Sequence, residues 1–145
     1  MRIVLGVLAV MLVASSAAYA DKKLTDLVKF YEKEARVCKK NLAGIVVAKD
    51  KAEPYKGDAE IKPDFEIVLK AQTTITTQCT DLDAMATFLK ADPKATFKQL
   101  QAEIDKRDAA IRAGRKATKQ ALTDSDPVIK RLIPKVNKRA ATAGK

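Results

Sequence analysis

The chain has 145 residues, 28 Lys/Arg against 18 Asp/Glu, two Cys, and no His or Trp. Without His it lacks the commonest neutral-pH acid–base group, and two Cys alone cannot complete an ordinary zinc site. Few Gly, Pro and aromatic residues disfavour a sandwich or barrel and favour helices.

Residues 1–20 carry a short basic start, an apolar run from Ile3 to Ala14, and the small-residue end Ala18-Tyr19-Ala20 before charge begins at Asp21. This is the n-region, h-region and A-x-A pattern of a cleaved signal peptide. It predicts an exported chain, periplasmic or secreted, whose working part is a single helical domain over 21–145.

Leu24, Val28, Tyr31, Ala35, Cys38, Leu42 and Ile45 recur at spacings of 4 and 3, a helical seam. It predicts a first helix over 22–47, with Gly44 as a weak point costing about 1 kcal/mol. Pro54, Gly57 and Pro63 with mixed charge predict a connection over 50–63. Phe65, Val68, Gln72, Ile75, Cys79, Leu82, Ala86 and Leu89 repeat the rhythm and predict a second helix over 63–90, with Pro63 in its first turn. If Cys38 faces Cys79 across antiparallel helices, Val28 meets Leu89, Tyr31 meets Ala86, Ala35 meets Leu82, and Leu42 meets Ile75. Every one of these residues lies on a seam. An even cysteine count in an exported chain points to a disulfide, here an inter-helix staple between Cys38 and Cys79.

Asp92-Pro93 reads as an N-cap followed by Pro at the first helical position, and predicts a third helix over 93–122 with Phe97, Leu100, Ile104, Ile111 and Leu122 as its stripe. Arg107 and Gly114 fall where that stripe should continue. Asp124-Ser125-Asp126-Pro127 repeats the capping chemistry and predicts a short fourth helix, kinked or broken at Pro134. The basic end, 137–145, is expected to fray. The expected fold is therefore all-α: an antiparallel bundle of three long helices plus a short C-terminal helix.

Charge is uneven along the chain. Residues 21–92 hold 13 Lys/Arg and 13 Asp/Glu, whereas 93–145 hold 14 and 5, a net of +9. At 100° per residue, Lys94, Lys98, Arg112, Arg115, Lys116 and Lys119 fall within about a 100° arc of the third helix. This basic flank predicts a non-enzymatic accessory protein that binds an acidic partner, whether protein, anionic lipid or envelope polymer. Nucleic acid is disfavoured, since Phe97 is the basic half's one aromatic and stacking platforms are missing. No catalytic constellation, cofactor or metal site is expected. Two alternatives stand beside this reading. One is a holdase-like chaperone or self-assembling structural protein, using apolar surface near Leu132 and Ile133. The other is a small-ligand or lipid carrier with a cavity near Gln72, roofed by 50–63. Long heptad seams also permit a homodimer.

Overall fold

The computed structural model describes residues 3–143, and their side chains from 22 onward. The side chains of the expected leader, 1–20, lie outside that description. Three long helices follow in order: α1 (Ile3–Ala52), α2 (Lys62–Lys90) and α3 (Phe97–Ala143), with a 3-10 turn at Glu53–Tyr55 between the first two. Among the described residues there is no strand, and no helix is long and apolar enough to cross a membrane.

Tyr31, Ala35, Cys38 and Ile45 on α1 are buried, as are Phe65, Val68, Ile75, Cys79, Leu82, Ala86 and Leu89 on α2. The two seams meet. Contacts between α1 and α2 pair rising numbers in one with falling numbers in the other: Glu32 with Lys90 at 2.9 Å and Lys39 with Asp83 at 2.7 Å. Between these levels and the connection, Cys38 and Cys79 form a disulfide with Cα atoms 5.5 Å apart, closing a sequence separation of 41. Chain-entropy arithmetic for a loop of that length gives about 4 kcal/mol. Helix α1 extends beyond the expected end at Val47 because Ala48 and Ala52 continue the 3,4 spacing and are buried. Gly44 does not end it, and the connection shrinks accordingly. In that connection Asp58 accepts from the Glu60 N–H through its side chain and from the Lys62 N–H through its carbonyl, turning the chain into α2. Within the β-branched run on α2, Thr73, Thr74, Thr77 and Thr80 each donate their hydroxyl to the carbonyl four residues back, and burial of Ile75 and Cys79 on the inner face holds the helix.

Helix α3 corrects two expectations. It starts at Phe97 rather than at Pro93. Asp92 instead accepts from the Lys94 N–H and makes a turn. The cap is Thr96: its hydroxyl accepts from the Gln99 N–H while the Gln99 side chain accepts from the Thr96 N–H, a reciprocal capping box. The short fourth helix does not exist as a separate element. Helix α3 runs without a break through Pro127 and Pro134 to Ala143. Ser125 cannot serve as a solvent-facing cap, since it is fully buried and donates to the Leu122 carbonyl. Each interior proline costs about 3 kcal/mol. Burial of Val128, Leu132 and Val136 offsets this, at about 1.5–3 kcal/mol each.

Ion pairs hold the same end of α3. Asp64, 4 % exposed, accepts from Arg131 and Lys135, each at 2.8 Å. Arg139 reaches Asp58 at 2.7 Å and Glu60 at 3.3 Å. Of residues 137–145, those through Ala143 are helical, and Arg139 is held by these pairs. Three cations of the C-terminal half are matched here, against acids of α2 and the connection.

Helix α3 lies against α2 at Gly114. Gln78, 2 % exposed, donates from Nε2 to the Ile111 carbonyl at 3.2 Å. A Cβ on Gly114 would collide with Gln78 Oε1. Where the apolar stripe is interrupted at Arg107, the guanidinium pairs with Glu103 at 2.7 Å and stacks on Phe88 at 4.6 Å.

Two measurements test this architecture. In chemical denaturation, Gly114→Ala should destabilise, because displacing the Gln78 amide costs about 1–3 kcal/mol against about 1 kcal/mol of gained helix propensity. Gly44→Ala, where a Cβ meets nothing within 4 Å, should stabilise by up to about 1 kcal/mol. Acid should weaken the Asp64 contact. Burial alone would raise that carboxyl, but hydrogen bonds and charge from Lys135 and Arg131 outweigh it and hold it below the ordinary value. Its stabilisation is therefore complete above the ordinary Asp range near ~3.9 and fades as pH falls through the depressed folded value. Asp64→Asn should lower the unfolding free energy from urea denaturation at pH 7 by about 1–3 kcal/mol and flatten this acid limb.

Candidate functional site

The six cations of the expected flank do not form one patch. Lys94 lies in the turn before α3, not on the helix. Lys98 is exposed in the first turn, about 21 Å from Arg112 at 1.5 Å per residue, more than two Debye lengths at physiological salt. Ala102, Asp105 and Ala109 fill the interval. The remaining four cluster in the middle of the helix, and two of them are engaged. Arg112 is paired with Asp108. Arg115 lies 3.4 Å from Glu34 of α1, with its guanidinium 5.4 Å from the Phe30 ring centroid. Lys116 and Lys119 are exposed, and no carboxylate among the described residues is within ion-pair distance of either.

Arg112, Lys116 and Lys119 sit at i, i+4 and i+7, so they share one face over about 10 Å. Their backbone is held rigid from below. On the buried side of the same turns, Ile111 is 1 % exposed and Gly114 lies against Gln78. Asp108 is the link between this face and α1: it accepts from the Tyr31 hydroxyl at 2.7 Å as well as from Arg112. Burial, followed by the hydrogen bond to Asp108 and its charge, pushes the Tyr31 phenol up to about 12. For Asp108, burial would raise the carboxyl, but the hydrogen bonds from Tyr31 and Arg112 prevail and lower it. This bond was invisible in the apolar pattern, which marked Tyr31 as a seam residue and left Asp108 unassigned. The signal available was a seam phenol whose hydroxyl needs a buried partner.

Next to this face, α1, α2 and α3 border a groove of about 270 Å³ beside the disulfide. Its lining comes from 34–41, from Gln78 and Leu82, and from 115–123. It does not include Gln72 or the 50–63 connection, where the carrier alternative puts its cavity.

A phenol raised in the folded state contributes stability that is complete below its unfolded value near ~10. That contribution is lost as pH rises from there to about 12. An absorbance titration of phenolate should therefore show one late-ionising tyrosine, missing in Tyr31→Phe. That variant should lose about 1 kcal/mol at neutral pH and less as the solution becomes alkaline.

No protein-family model, curated protein or solved structure matches this chain.

Proposed function

We propose that this chain is an exported, non-enzymatic accessory protein. In this reading its antiparallel helices carry an anion-docking face on α3, made of Arg112, Lys116 and Lys119, that captures an acidic protein, anionic lipid or envelope polymer. The observation that carries the reading is the pair of exposed lysines, Lys116 and Lys119, left without an ion-pair partner on a helix whose other cations are largely matched to acids. Unmatched like charges a few ångströms apart cost the free protein a little and are recovered when an anion arrives. The disulfide fits an oxidising compartment, and the leader pattern of residues 1–20 is the basis for export. Capture would be salt-sensitive, since exposed charges are screened beyond about 8 Å at physiological ionic strength. Of the two residues the holdase alternative names, Leu132 is fully buried and Ile133 half-buried.

The test is capture from an envelope extract on immobilised, oxidised protein, eluted by rising salt. Lys116→Glu with Lys119→Glu should abolish the salt-released species. Lys98→Glu, about 27 Å from Lys116 along the helix, should change capture little. Unchanged capture by the double variant would overturn the docking face.

A further inference from the structure

The groove beside the disulfide combines an apolar floor with convergent polar groups, the usual composition of a small-molecule site. Val37, Cys38, Leu82 and Leu122 line it, together with Arg115, Lys119 and Glu34. Val37 is 51 % exposed, so an aliphatic side chain of α1 faces the open side. At about 270 Å³ the groove lies just under the ~300–1,000 Å³ typical of drug-sized ligands, which suits a short chain.

Its walls also carry unfilled hydrogen-bonding atoms. Thr118 Oγ1, Gln78 Oε1, and Arg115 Nε and Nη2 are buried without a hydrogen-bond partner, and all belong to lining residues. Buried polar atoms are normally paired. Gln78 spends its Nε2 on the Ile111 carbonyl, leaving Oε1 as the unmatched acceptor. Arg115 meets Glu34 only at 3.4 Å, a charge contact that leaves its N–H groups without an acceptor. Two cations against one carboxylate give the rim a net charge of +1.

We propose that this groove binds a small amphipathic monoanion, an alkyl monocarboxylate, with its chain on Val37 and Leu122 and its head against Arg115 and Lys119. One negative charge neutralises the rim. A cationic amphiphile of the same length meets repulsion there. The site is distinct from the docking face: Lys119 borders both, but Lys116 belongs to the face alone.

Isothermal titration of the oxidised full chain with sodium decanoate tests it. Decyltrimethylammonium serves as the cationic control. The expected result is saturable one-to-one binding of decanoate and none of the cation. Val37→Asp and Lys119→Glu, both at exposed positions, should each weaken binding about tenfold, or about 1.4 kcal/mol, with helix content unchanged by circular dichroism. Lys116→Glu should leave decanoate affinity intact, so this site and the docking face can fail separately. Absence of saturable binding, equal binding of the cation, or full affinity in Val37→Asp would each overturn the proposal.

Discussion

Two consecutive residues of α2 fix the other two helices. Cys79 is bonded covalently to α1 through Cys38, and Gln78 lies against α3 at Gly114 while donating to the Ile111 carbonyl. Successive helical residues point about 100° apart, so neighbours on one helix can address two different partners. The docking face on α3 sits on the outer side of the turns that Gln78 grips. The groove runs past the disulfide itself. Both candidate surfaces therefore depend on this level of the bundle being rigid, and neither depends on the chain ends.

Charge divides the molecule along a different line. Part of the excess in the basic half complements acids elsewhere: Asp64, Asp58 and Glu60 take up Arg131, Lys135 and Arg139, and Glu34 takes Arg115. Surface ion pairs of this kind contribute little one by one. Asp64 differs because it is buried, so its two partners satisfy a group that would otherwise be costly to desolvate. What remains unmatched on the outer face of α3 is small and local, a few lysines rather than a continuous stripe. A count of charges along the chain could not separate these two populations, since pairing is a property of the fold.

Much of the fold was legible in the sequence because the seams of α1 and α2 are apolar and closely spaced. The disulfide was legible because both cysteines lie on those seams. Helix α3 was misread for a physical reason. Its inward positions include Arg107, Gly114, Thr118 and Ser125, which pack without being apolar, so the stripe looked interrupted while the helix was not. Asp-Pro and Asp-Ser-Asp-Pro motifs looked like helix starts. Tertiary burial overrode the second, and the Thr96–Gln99 capping box pre-empted the first. The end of α1 was missed because alanines at 48 and 52 carry a weak apolar signal although both are buried. For the candidate cations, residue numbers carry both the angle around the helix and the spacing along it, and angle alone grouped ions too far apart to act together; their partners are set by the fold.

The two prolines of α3 have a further meaning for how the molecule breathes. Pro127 and Pro134 remove two N–H donors from the helical ladder, and the carbonyls of Thr123 and Lys130 lose their helical partners. Beyond Pro127, α3 is held by a few buried aliphatic side chains and the charges around Asp64, with no covalent tie. Residues 127–143 thus hold both gaps in the α3 ladder, a stretch suited to opening ahead of global unfolding. For hydrogen exchange, this places the expected boundary between slower and faster amides of α3 at a proline of its own chain.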